Sequence, residues 1–561
     1  MAHLAQFVAA TLRGETLPSP NVEDIRPGDQ GTYVSLRATG HLVGDAWRDG
    51  PPATALPAAL DAAFTAVEAP QRGTIDSAII EFAHSFATVA DEDGQLAHEL
   101  HDAHRGVRGF SLSHGQTTHI VPPTHMLARS TSFSDELTRL RQQPSLAGLD
   151  DEAFARETQL RRFEAVQVRV GLAPDPTAAV MFRGNTVVDA SAVTQANTQA
   201  WAERAAAWLL QHVDGEGRMT YTWHPGRGEA DPDANNMIRQ WMASVALGRW
   251  ARRVQDPAVD AVVMRNLAFN LDRYYVTSPN GDLGRIEYRG RSKLGAIALA
   301  ALAIRECPDP PRFALQQAAL RRQIDSMWQP DGSFTLYAVP AGRRGGMNYY
   351  PGEALVYLGE VYHDTRDPEL LAKFMTSFRY YKSWHLKSDN RSPPFVPWHT
   401  QAYYTVWSAT QDPELAAFIF KMNDWLISSM QMWKNADYPD AAGQFFNPRR
   451  RQWGRENASS TGVYIEGIAD AFAVAKAVGD TRREELYARS LSRALLHLYH
   501  LQIVDDIDTF YMPRADRAIG GVRTSMYRDF IRVDNVQHNL MGIMKILDRF
   551  DAADYHTEPP A

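Results

Sequence analysis

Cysteine is all but absent from this chain: Cys307 is the only one in 561 residues. That excludes a disulfide framework and any zinc site built on thiolates. Long apolar runs are missing too, and no window approaches the roughly 18 consecutive apolar residues that a membrane-spanning helix needs. No basic segment precedes an apolar run at the start, where residues 1–13 read as an amphipathic helix and not as a signal peptide. Positive charge is not in excess either. A formal net charge of −8 argues against general nucleic-acid binding. The expectation is a cytoplasmic protein with no membrane span, no nucleic-acid partner and no cofactor, with an oligomer left open. The rest of the composition, 44% apolar and 22% charged, is that of a soluble globular protein long enough for two or three domains.

What is present is a repeat. After about residue 214 the chain alternates two kinds of joint between helical stretches. One is short and recurs as Gln255-Asp256-Pro257, Arg366-Asp367-Pro368, Gln411-Asp412-Pro413 and Gly479-Asp480-Thr481. The other is a longer polar hairpin signal, found at Asp214–Tyr221, Asn280–Tyr288, Asp331–Tyr337, Ala442–Phe446 and Asp508–Tyr511. Repetition at this period signals copies of one supersecondary unit. Twelve helical stretches between residues 196 and 551 then predict an (α/α)6 barrel, with an open superhelix as the alternative. The even-numbered stretches are apolar nearly all round, as in Leu294–Ile304, and are expected inside. The odd ones are amphipathic and face water. All hairpin joints would then lie on one rim and lead into the inner helices.

Residues 1–172 mix helix and strand signals and read as a separate α+β domain. Gly31–Arg37 and His41–Gly44 form one expected hairpin, a second surrounds His114-Gly115, and Phe163–Val170 is the expected last strand. Residues 173–195 read as a linker, 196–553 as the barrel and 554–561 as a disordered tail. His114, His119 and His125 sit at spacings that match no common metal-ligand pattern, so no metal is expected there.

Polar and aromatic residues concentrate at the six entrances to the inner helices. Asn, Ser or Pro at a helix start is an ordinary cap, and Glu353 falls where a capping box would place it. Caps do not explain Arg239, Gln240, His399, Gln401, Tyr464, Gln537 and His538, which lie inside helices otherwise built for burial. A cluster of such groups predicts a polar pocket, since each would be costly in a dry core. Arginine is massed on the same rim (Arg285, Arg289, Arg291, Arg343, Arg344, Arg449–Arg451, Arg455, Arg523, Arg528, Arg532), with Lys293, which points to an anionic guest. Trp223, Trp398, Trp453, Tyr349 and Tyr350 are rings on which a sugar could stack. Two tempting motifs, Gln329–Phe334 and Asp505-Asp506-Ile507-Asp508, suggest terpene cyclisation but fall at hairpin joints, where Asp is turn chemistry.

Two resemblances rest on these residues. Gly31–Leu36, Gly40–Gly44, Arg108–Leu112 and Pro122–Leu140 resemble AMMECR1-like domains, although Leu42–Trp47 lacks the cysteine of that family's signature. The segment Tyr349–Leu358, with Asn236, Arg239 and Gln240 and with Asp534, Gln537 and His538, is similar to the (α/α)6 group containing N-acylglucosamine 2-epimerases and glucuronyl C5-epimerases. That likeness implies a carbohydrate-active enzyme acting on an acidic sugar or polysaccharide, with an epimerase expected. The candidates for proton transfer are His538, His399, Glu353, Asp534, Tyr350 and Tyr464. Arg239 is the expected clamp on a substrate carboxylate, and Asn236, Gln240, Tyr349, Trp398, Gln401, Arg532 and Gln537 complete the binding set. A hydrolase or lyase on the same barrel, with Glu353 and Asp534 as its carboxylate pair, and a non-catalytic glycan- or peptide-binding protein remain alternatives.

Overall fold

The computed structural model describes the chain except residues 16, 18–30, 90–94, 173, 436, 557, 560 and 561. In the first third an eight-stranded antiparallel sheet runs β2 (His41–Arg48), β1 (Gly31–Ala38), β3 (Ser77–Thr88), β6 (Thr158–Gly171), β4 (Arg108–His114), β5 (Thr117–Val121), with β7 (Thr177–Phe182) and β8 (Asn185–Thr186) added beyond β6. Both expected hairpins are there. The β1–β2 turn places Thr39 and Gly40 in the left-handed region (φ 48° and 78°), as a two-residue hairpin loop requires. Helix Pro52–Ala66 buries Leu56, Ala59, Leu60 and Ala63 against one face of this sheet, beside the N-terminal helix Ala2–Leu12.

Two segments differ from expectation. Residues 177–182 and 185–186, read as linker, continue the sheet: Pro174 and Pro176 mark a hairpin turn between β6 and β7, with Gly171 facing Thr177. The 554–561 segment, read as disordered, begins ordered. Tyr555 packs its ring on Phe550 at 5.2 Å, and the backbone of Asp554 and His556 bonds to Ser492. Residues 557, 560 and 561 lie outside the described residues. The three histidines stay apart in function: His119 bonds to Ser145 at 2.9 Å, His114 lies 3.7 Å from Glu157, and burial pushes His125 down to about 4. Among the described residues no cluster could hold a metal ion.

Among the described residues twelve long helices follow from residue 195 onward, numbered here α1 (Gln195–Gln211), α2 (Met237–Val254), α3 (Pro257–Tyr274), α4 (Leu294–Glu306), α5 (Ala314–Met327), α6 (Tyr350–Thr365), α7 (Pro368–His385), α8 (Phe395–Thr410), α9 (Pro413–Met430), α10 (Ala458–Val478), α11 (Thr481–Leu501) and α12 (Val533–Arg549). The even helices pack in sequence, α2 on α4 and onward to α12, and α12 returns to α2. The ring is closed, so the open superhelix is excluded. The odd helices lie outside it. Packing between inner neighbours is tight: a Cβ on Gly352 would lie 2.5 Å from the Cβ of Trp398.

The two kinds of joint have different physics. At each short joint a residue in the left-handed region ends the outgoing helix (Gln255, Arg366, Gln411 and Gly479, φ 52° to 75°). An aspartate then caps the next one, with Asp256, Asp367 and Asp412 each accepting a backbone N–H at 2.7–2.9 Å, and proline occupies the first helical turn. At the hairpin rim the outer helices end in small antiparallel pairs: Val213 with Met219, Tyr275 with Ile286, Trp328 with Phe334 and Gln431 with Phe445. The fifth pairing is Gln502 with Val522, not a hairpin at Asp508–Tyr511. Asp508 instead accepts the backbone N–H of Val504 at 2.8 Å inside the longer connection, and Asp331 accepts that of Ser333 at 2.9 Å.

The sheet of the first third stands on this same rim. Arg183, fully buried, pairs with Asp440 at 2.8 Å, Arg169 with Asp506 at 2.7 Å, and the Ser130 hydroxyl donates to Asp529 at 2.9 Å. The contacts fall on the connections into α10 and α12.

Candidate active site

Six inner helices converge on the rim with their N-termini, so their dipoles present positive ends to one space. That space is a cavity of about 300 Å³. Of the expected residues, Asn236, Arg239, Tyr349, Tyr350, Glu353, Trp398, Tyr464, Arg532, Asp534 and His538 line it. Ordinary capping accounts for part of this set: the Asn236 side chain caps α2, accepting from the Ile238 N–H at 3.0 Å.

Glu353 sits one turn into α6, where it is 1% exposed, and its Oε2 has no hydrogen-bond partner among the described residues. The carboxyl reaches the backbone of α4, occupying the place that a side chain on Gly295 would take. Burial raises its pKa to about 8, against the opposing charge of Lys293. It is therefore protonated at neutral pH and able to donate a proton.

His538, one turn into α12, stands edge-on to Trp398 with ring centres 5.8 Å apart. Its Nδ1 lies 2.7 Å from Oε1 of Glu466, which is fully buried in α10. With a carboxylate accepting there, Nδ1 carries the hydrogen and Nε2 is left as the basic nitrogen. The partners that the sequence does not reveal are Glu466, beside His538, and Lys293, whose charge acts on Glu353. Lys293 was counted only as rim charge. Glu466 carries no signal beyond being a glutamate two turns into an apolar helix.

Asp534 is in a different state. Arg239 Nε lies 2.7 Å from its Oδ2, which also accepts from Arg532 at 2.8 Å. Burial would push this carboxyl up, but the two guanidiniums outweigh it and hold it below the usual aspartate range. Arg239 further donates to the Tyr221 hydroxyl at 2.5 Å. A carboxylate partner for Arg239, the expected clamp on a substrate carboxylate, is thus already present in the protein. Tyr350 and Tyr464 are pushed up by burial and stay protonated.

Four expected residues do not line the cavity. His399 stacks on Phe395 with centroids 3.6 Å apart, bonds to the Tyr403 hydroxyl at 2.7 Å, and is driven well below its ordinary pKa by burial and then by His385. It belongs to the layer between inner and outer helices. Gln401 lies deeper, accepting from Lys545, which also pairs with Asp470 at 2.6 Å. Gln240 donates to the Met219 carbonyl at 3.2 Å, and Gln537 is fully buried. Among the rim aromatics, Trp223 packs on His212 and Trp453 on Trp425, away from the cavity.

No protein-family model matches the chain, and no curated protein sequence matches it. Solved structures do resemble it in shape. It is similar to a D-mannose isomerase at 10% identity and a TM-score of 0.48, over 64% of this chain and 99% of the other. A sugar epimerase from a ruminal bacterium is similar at 10% identity and a TM-score of 0.47, over 63% and 98%. An unsaturated glucuronyl hydrolase specific for heparin is similar at 12% identity and a TM-score of 0.45, over 63% and 97%.

Proposed function

We propose that this chain is a sugar epimerase or isomerase working by acid–base proton transfer in the mouth of its helical barrel. The observation that carries the reading is Glu353: a buried, unpartnered carboxyl with its pKa raised to about 8, in the same cavity as a histidine oriented by Glu466. Two titratable groups whose surroundings set them in different roles are what acid–base catalysis requires.

In the proposed reaction, Nε2 of His538 takes the proton from the carbon beside the carbonyl of an open-chain sugar. The C–H electron pair moves into the new C–C double bond, and the carbonyl oxygen receives the proton of Glu353. Collapse of this enediol returns a proton to carbon. Return on the opposite face gives the epimer, and return to the neighbouring carbon gives the ketose. Trp398 and Tyr349 supply surfaces for the ring, and Tyr350 and Tyr464 supply hydroxyl donors.

Hydrolysis by a Glu353–Asp534 pair is the weaker reading, because both carboxylate oxygens of Asp534 are taken up by Arg239 and Arg532 and are not free to attack carbon or activate water. A binding-only role leaves the shifted Glu353 unexplained. The β-rich first third, proposed as an AMMECR1-like unit, contributes no lining residue among those described and is proposed to brace the rim. The test is NMR of a panel of aldoses and uronates incubated with the protein. Appearance of an epimer or ketose, lost with both Glu353→Gln and His538→Asn, supports the reading; an unchanged panel overturns it.

A further inference from the structure

A second hollow of about 340 Å³ adjoins the first, and Asn236 and Lys293 line both. Its charge is one-sided. Arg289, Arg291 and Lys293 line it, and among the described residues no carboxylate does. In the first hollow Asp534 neutralises the arginines, but here the positive charge stands free. Arg289 donates to the backbone carbonyl of Asp233 at 3.3 Å and lies over the Tyr288 ring at 5.2 Å, while Lys293 lies 5.9 Å from the Tyr350 ring centre. The two arginines are fixed on a tight turn. Tyr288 and Arg291 exchange backbone hydrogen bonds at 2.9 and 3.1 Å, with Arg289 and Gly290 both left-handed at φ 50° and 68°. On the same wall Asn235 donates to the Tyr274 hydroxyl at 3.1 Å, and its buried Oδ1 has no partner.

Three free cations beside an unsatisfied acceptor fit a ligand that brings both an anion and a hydroxyl donor. We propose that the second hollow is a specificity subsite for the carboxylate or phosphate of an anionic sugar, whose reacting carbon lies in the first hollow at Glu353 and His538. Lys293, on the boundary, faces both the anion and Glu353. This rests on the acid–base reading of the first hollow. It moves the recognition of negative charge from Arg239 to the turn at Arg289–Arg291.

The test is binding by calorimetry of glucose, glucuronate and glucose 6-phosphate, and of the mannose series, to the full chain and to the Arg289→Gln/Arg291→Gln double variant. The charged members should bind at least about tenfold more tightly than their neutral parents, the preference weakening with salt. The uronate and phosphate arms show which anion is selected. In the double variant the charged-to-neutral ratio should fall towards one, while Glu353→Gln should keep it. Equal affinity for charged and neutral sugars, an unchanged ratio in the double variant, or no binding at all overturns the subsite. A charge preference without turnover of any sugar would leave the subsite standing and remove the catalytic reading. Turnover without charge preference would do the reverse.

Discussion

Oε2 of Glu353 lies 1.6 Å from where a Cβ on Gly295 would be built, so the carboxyl fills the space that the missing side chain leaves. Gly295 sits in the first turn of α4, where alanine is a better helix former by about 1 kcal/mol. Gly295→Ala should therefore spare the helix and displace the carboxyl. The expected outcome is a folded protein, by circular dichroism, whose kcat falls by about a hundredfold or more, the usual share of a general acid.

Glu353 also makes a prediction about stability. Its folded pKa is raised, so between about 4.5 and 8 the unfolded chain ionises this group while the native protein keeps it protonated. Stability is then lost as pH rises through that window and levels off above it. Glu353→Gln removes this term. Its melting temperature should gain on the natural protein progressively from about pH 5 to pH 8, by an amount corresponding to a few kcal/mol at the upper end. A constant difference across that range would contradict the assignment.

In the proposed reaction Glu466 acts on substrate only through His538. Glu466→Gln should lower kcat by about ten- to a hundredfold, because the His538 ring loses the carboxylate that orients it. KM should change little. A loss confined to thermal stability, with kcat of the folded protein unmoved, would reduce Glu466 to packing.

Asp534 holds two guanidiniums together. Asp534→Asn leaves two uncompensated positive charges and should cost about 3–5 kcal/mol at neutral pH. Because its folded pKa is depressed, that stabilisation is present above the ordinary aspartate range and is lost as pH falls through the folded value. The gap between variant and natural protein should therefore close in acid, as read by denaturant titrations at several pH values.

His399 serves as a contrast. Its contacts are Phe395, Tyr381 and Tyr403, so His399→Asn should weaken the fold and leave turnover of the remaining folded protein close to that of the natural one.

The repeat made the barrel legible because each short joint is a local event, a left-handed cap followed by Asp and, in three of the four, Pro, that needs no tertiary information. The site was legible to one helical turn and no finer. Consecutive helical residues are rotated by about 100°, so a neighbour of a cavity-lining residue can point into quite different surroundings. Arg239, Trp398 and His538 line the cavity; Gln240, His399 and Gln537, each one residue away, turn into packing. Asp534 and His538 share a face four residues apart. What stayed hidden depends on partners distant in sequence. Glu466 matters because it meets His538, and Gly295 because it yields to Glu353. The β6–β7 hairpin was missed because a proline-rich turn and a linker look alike until the strands beyond them pair.

The most direct test is proton exchange with solvent. The protein is incubated in heavy water with the aldose or uronate it binds best, and the recovered sugar is read by mass spectrometry and NMR. Transfer through Glu353 and His538 predicts one deuterium at the carbon beside the carbonyl, lost with either Glu353→Gln or His538→Asn. Sugar that is bound yet recovered without deuterium at that carbon would contradict acid–base catalysis in the barrel mouth.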